Sequence, residues 1–74
     1  MIEKVKQLIA DQLYISADEV DLEKKFVDDL GADSLDIVQM LIAMENEFGV
    51  SFDDDELTTV KTVADAINLI NSKK

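Results

Sequence analysis

The 74-residue sequence predicts an all-α protein: a small four-helix bundle of three longer helices and one short one, with a long loop between the first and second helices. Three observations carry this expectation. There is no Pro and there are only two Gly, so little interrupts a helix. Apolar residues recur at three- and four-residue steps in separate segments, which is the spacing of one helical face. Ser, Asp and Thr stand in front of several of these segments with an acid three residues later, the arrangement of an N-terminal cap. Runs such as Val50-Ser51-Phe52 are too brief to build a sheet. The length fits one domain over residues 1–74. A chain of this size buries only about 60% of the surface it exposes when unfolded, so the core must be thin.

Each element has its own signature. Ile2, Val5, Leu8, Ile9 and Leu13 form the apolar stripe of a first helix that ends near Tyr14. Ser16-Ala17-Asp18-Glu19 reads as a capping box and predicts a short helical turn. Residues 20–33 read as irregular, with Val20, Leu22, Phe26, Val27 and Leu30 holding the loop on the core. Asp29-Leu30-Gly31-Ala32 is a turn in which Gly31 is free to take positive φ. The second long helix runs from about Ser34 to Phe48, with Asp33 at the N-cap, Asp36 at N3 and Gly49 at its end. Its stripe is read as Leu35, Val38, Leu41, Ile42, Glu45 and Phe48. Ile37, Met40, Ala43 and Met44 add more apolar positions than one face holds, so some must be exposed or meet a second buried surface. Asp53-Asp54-Asp55-Glu56-Leu57 opens a short third helix. Thr62-Val63-Ala64-Asp65 opens the last, whose stripe is Val63, Ala66, Ile67 and Ile70; Asn71-Ser72-Lys73-Lys74 is expected to fray.

Composition excludes much chemistry. No Cys means no disulfide, no thiolate nucleophile and no zinc–sulfur site. No His means no imidazole base or ligand. The net charge is −10, and every basic residue is Lys. Nucleic acid is a poor partner for such a chain, since phosphate contacts need positive charge. No apolar run approaches the roughly 18 residues of a membrane span. The Met1 start with no apolar leader reads as a cytoplasmic protein.

The charge is concentrated. Residues 26–60 hold ten acids and no Lys; the rest of the chain holds seven acids and seven Lys. The net charge therefore lies entirely in the middle of the chain. This stretch is either a solvated face that aids solubility or a surface that steers basic partners. Asp53-Asp54-Asp55-Glu56 lacks the following Gly of a calcium loop, so no dedicated metal site is expected there. Paired carboxylates for acid–base catalysis carry little weight, because with 17 acids close pairs arise by chance.

Ser34 is the residue with chemical interest. A Ser at a helix start is ordinarily a cap, but Asp33 already fills that role and frees the Ser34 hydroxyl to point outward. A hydroxyl at N1 stands over unpaired backbone N–H groups, where a phosphate is tolerated. With no His or Cys in the chain, nothing nearby activates it as a nucleophile. If Ser34 reacts, another protein supplies the base, and the chain itself is not expected to be an enzyme.

The run Asp29-Leu30-Gly31-Ala32-Asp33-Ser34-Leu35-Asp36 resembles the corresponding run of acyl carrier proteins of type II fatty acid synthesis. The resemblance extends from Val5 through Ile70 and includes Glu45-Asn46-Glu47-Phe48 and Thr62-Val63. It implies a four-helix bundle in which Ser34 carries 4′-phosphopantetheine through a phosphodiester. A phosphopantetheinyl transferase (a holo-carrier synthase) installs the group from coenzyme A with its own Mg²⁺. Acyl chains then ride on the pantetheine thiol as thioesters between fatty acid synthase enzymes and acyltransferases with basic patches. On this reading the protein is a monomer that does not insert into membranes.

The resemblance also assigns roles. Asp33, Asp36 and Glu45 become acidic contacts for partner Lys and Arg, Leu35 and Ile37 apolar contacts beside the arm, and Gln39 a hydrogen-bonding contact. Val38, Ile42, Phe48, Ala66 and Ile67 become candidates to line an interior for the acyl chain, against the plainer reading of each as core packing. The sequence departs from the family where Gln39 and Asn46 stand for frequent Glu residues and Asp53 for a frequent Pro. The same fold and serine also serve polyketide, aminoacyl and D-alanyl carriers. A different class, an unmodified acidic helical interaction or calcium-binding module, makes Ser34 only a cap.

Overall fold

The computed structural model describes residues 1–73. Four α-helices follow in chain order: α1 (Ile2–Leu13), α2 (Ser34–Phe48), α3 (Asp54–Thr59) and α4 (Val63–Lys73). A single 3₁₀ turn, Ala17–Glu19, lies between α1 and α2, and no strand occurs among the described residues. The expected architecture and the expected start of each helix are both present.

The caps explain the boundaries. α1 ends where Tyr14 adopts left-handed backbone, φ 59°, and its N–H donates to the Ala10 carbonyl. Ser16 caps the 3₁₀ turn by accepting the Asp18 N–H, while Glu19 accepts the Ser16 N–H. α2 closes at Gly49, φ 67°, a backbone conformation that Gly adopts without strain. At α4, the Thr62 hydroxyl accepts the Asp65 N–H at 3.1 Å and the Asp65 carboxylate accepts the Thr62 N–H at 3.1 Å. Asp65 also accepts the Lys61 N–H at 3.0 Å. That bond to Lys61 is the main reason its carboxyl sits below the usual range; slight burial opposes it, and the Thr62 bonds add to it.

The core runs between α1, α2 and α4. Val5 and Ile9 of α1, Met40, Leu41 and Met44 of α2, and Val63, Ala66 and Ile70 of α4 are all buried. α2 turns Ile37, Met40, Leu41, Met44 and Phe48 to the core; of the stripe read from the sequence, Leu41 and Phe48 lie on this face and Leu35 and Ile42 do not. Leu35 is 63% exposed and Ile42 47% exposed. Both stripes are apolar, so periodicity has no basis for choosing between them; the neighbours α1 and α4 make the choice.

The long loop is tied to the start of α4. The Phe26 N–H donates to the Lys61 carbonyl at 3.0 Å, Val63 N–H to Lys24 at 3.1 Å and Ala64 N–H to Leu22 at 2.9 Å. Lys25 and Thr62 form an isolated antiparallel bridge. Val20 and Phe26 are buried as expected, whereas Leu22 and Val27 are exposed. The Leu22 carbonyl is held by the start of α4, and the bonds of Lys24 and Phe26 to α4 and Lys61 fix the loop without either side chain. α4 stays helical through Asn71, Ser72 and Lys73, where fraying was expected. The Ser72 hydroxyl donates to the Leu69 carbonyl, and Lys73 pairs with Glu56. Lys74 lies outside the described residues.

Candidate functional site

Ser34 is the first residue of α2, and its position is set by the turn before it. Gly31 takes φ 72°, and the following Ala32 is buried and donates its N–H to the Phe26 carbonyl at 2.8 Å. Asp33 then caps the helix. Its carboxylate accepts the Asp36 N–H at 2.9 Å, and the Asp36 carboxylate accepts the Asp33 N–H at 3.3 Å. With the cap made by Asp33, the Ser34 hydroxyl joins no hydrogen bond among the described residues, and the residue is exposed.

Ser34 lies on the rim of a cleft of about 490 Å³ between α2, α3 and the loop. Ile37, Val38, Leu57 and Val60 supply apolar lining, and Lys25, Asp28, Thr58 and Lys61 supply polar groups. The structure thus brings Ser34, Ile37 and Val38 together. It separates the other candidates for the interior. Ile42 is exposed and does not line the cleft. Phe48 borders a different depression, with Met1, Lys4 and Leu8 at the far end of α2, about 20 Å along the helix axis from Ser34. Ala66 and Ile67 are buried in the core.

The candidate partner contacts divide similarly. Leu35 and Gln39 are exposed. Ile37 is half-buried and faces the cleft. Asp33 is exposed and Asp36 half-buried, and both are engaged in their mutual cap. Glu45 is half-buried, and its carboxylate accepts the Phe52 N–H at 2.7 Å, which ties the loop after α2 back to that helix. Leu57, Val60, Lys25 and Lys61 were not singled out from the sequence. The two lysines had a signal: they bound the lysine-free stretch 26–60 on either side. Among the described residues no group of three or more acids is placed to hold a metal ion. No helix among them is long and apolar enough to cross a membrane.

A helical bundle that presents an exposed hydroxyl at the rim of a partly apolar cleft suits a protein that carries a group on a side chain. Comparison with known proteins agrees. The family described as "Phosphopantetheine attachment site" matches residues 3–70. The acyl carrier protein of Nitratidesulfovibrio vulgaris (strain DP4) is 53% identical over 72 residues, covering 97% of this chain and 95% of the relative. That of Petrotoga mobilis is 49% identical over 73 residues, covering 99% and 86%. The solved structure of an acyl carrier protein from Enterococcus faecalis superposes with a TM-score of 0.81 at 32% identity, covering 99% of this chain and 92% of that one.

The chain belongs to the phosphopantetheine-attachment family of acyl carrier proteins. It is an acyl carrier that bears covalently attached 4′-phosphopantetheine. The site fits such a group: an exposed, uncommitted hydroxyl, a cleft beside it, and no Cys in the chain to take an acyl group from the arm by thioester exchange. When attached, the group supplies the thiol that holds the acyl chain.

Proposed function

We propose that Ser34 is the attachment residue and that the chain serves cytoplasmic fatty acid synthesis as a single non-catalytic carrier domain. The observation that carries this reading is the exposed Ser34 hydroxyl, left unbonded by the Asp33–Asp36 cap, at the rim of the apolar cleft. In the loading step, Ser34 Oγ bonds to the phosphorus of coenzyme A that bears pantetheine. The bond from that phosphorus to the bridging oxygen of the pyrophosphate breaks, and adenosine 3′,5′-bisphosphate leaves. The serine proton passes to a base on the transferase, since this chain has no His or Cys to take it.

Ile37, Val38, Leu57 and Val60 give acyl methylenes a place to leave water, at about 0.8 kcal/mol per buried CH₂. Leu35 and Gln39, with Asp33 and Asp36, form the face that basic patches on the transferase and the synthase enzymes read. Exposed charges of this kind act on the association rate more than on the lifetime of the complex. The test is intact mass after incubation with coenzyme A and a broad-specificity transferase. A gain of one phosphopantetheine, lost in Ser34→Ala, is the expected result. No gain under conditions that load a control carrier overturns the proposal.

A further inference from the structure

Lys25 and Lys61 are 36 positions apart in sequence, yet the backbone brings both to the cleft that Ser34 borders. The Phe26 N–H to Lys61 carbonyl bond and the Lys25–Thr62 bridge hold the two segments side by side, and both lysines line the cleft that Ser34 borders. Neither ammonium has an ion-pair partner among the described residues; the two ion pairs there use Lys4 and Lys73. This is notable in a chain of net charge −10.

Two nearby carboxylates are engaged by backbone N–H groups. Asp29 accepts the Lys25 backbone N–H at 2.8 Å, and Asp65 accepts the Lys61 and Thr62 N–H groups. Asp28 is the one acid lining the cleft. Two cations without an ion-pair partner therefore share a cleft with an attachment hydroxyl whose modification brings a permanently charged phosphodiester, and an anion in that cleft gains from both.

We propose that Lys25 and Lys61 are positioning residues for the phosphodiester of the prosthetic group, holding the base of the arm against the cleft. This rests on the Ser34 assignment. Neither lysine takes part in bond making; both act on where the arm leaves the protein.

The test compares the lysine ε-methylene and ³¹P resonances of the apo and the fully loaded protein at a single pH, with loading at Ser34 established by mass beforehand. The ε-methylene resonances of Lys25 and Lys61 are expected to move on loading, while those of Lys4 and Lys6 stay in place. In the loaded double variant K25Q/K61Q the ³¹P line is expected to narrow toward that of the free diester. Unmoved resonances for both lysines in loaded protein, or a wild-type ³¹P line already as narrow as the variant's, overturn the proposal. Mass showing the group elsewhere than Ser34 overturns the attachment assignment instead, so the two failures are distinguishable.

Discussion

Lys73 Nζ lies 2.8 Å from Glu56 Oε1, and the same oxygen accepts the Asp53 N–H at 2.8 Å, so one carboxylate closes the start of α3 and ties it to the end of α4. The backbone bond from Asp53, then Lys73, holds the Glu56 carboxyl below its ordinary range, and Glu56 raises Lys73. A lowered carboxyl stabilises the fold fully above its unfolded value, 4.5, and loses that contribution as pH falls through its folded value. The raised Lys73 contributes fully below 10.5 and loses this as pH climbs through its folded value. Glu56→Gln is therefore expected to lower Tm at neutral pH, with the gap from wild type closing on acidification below 4.5. Thermal melts of both proteins from about pH 3 to about pH 8 check this, and a gap of constant size counts against it.

Tyr14 sits in left-handed backbone with its side chain 94% exposed, so it carries conformational strain without packing in return. Tyr14→Gly is expected to stabilise the protein by about 1 kcal/mol, the cost of this conformation for an L-residue less the added freedom of Gly in the unfolded chain. Urea denaturation measures it. A loss of stability would mean that the ring contributes something the fold does not show.

Met44 and Leu41 lie at the centre of the core, each at most 1% exposed. Truncation of either to Ala removes buried methylenes and leaves a cavity, at about 2–5 kcal/mol. Ile42→Ala, on the exposed stripe, is expected to cost well under about 1 kcal/mol. Equal costs for Ile42 and Leu41 would refute the assignment of the buried face.

Ser34→Ala is expected to leave stability within about 0.5 kcal/mol of wild type, because its hydroxyl makes no hydrogen bond and Ala suits the first turn. Denaturant midpoints of the unmodified proteins decide this. Loss of loading in that variant then reports chemistry, not unfolding.

Ten acids crowd residues 26–60, against two ion pairs among the described residues, the exposed Lys4–Glu47 and the more covered Lys73–Glu56. Raising NaCl from about 0.01 M to about 0.5 M is expected to increase Tm at neutral pH, since screening weakens the repulsion more than it weakens the pairs. A calorimetric scan at each salt concentration tests it; a fall in Tm would show that the attractive pairs dominate.

Helix boundaries were legible because each cap is local: Asp33 with Asp36 and Thr62 with Asp65 announce themselves within four residues. The buried face of α2 was not legible, because Val38 and Ile42 are as apolar as Met40 and Met44 and only the packed neighbours discriminate. The continued helix at Lys73 was missed because its stabilising partner, Glu56, is 17 positions away. At the site, Ser34 stood out by its local motif. The cleft wall from Leu57 and Val60 depends on where α3 and the residue after it come to lie relative to Ser34, Ile37 and Val38, which no short motif encodes.

Three acids of the candidate recognition face are more than surface. Asp33 and Asp36 bind each other's backbone, and Glu45 fastens the chain at Phe52. Charge removal at any of the three therefore perturbs helix integrity together with recognition. Gln39, exposed and outside these bonds, is the position where affinity for an enzyme can be tuned by introducing a carboxylate while the scaffold is left alone.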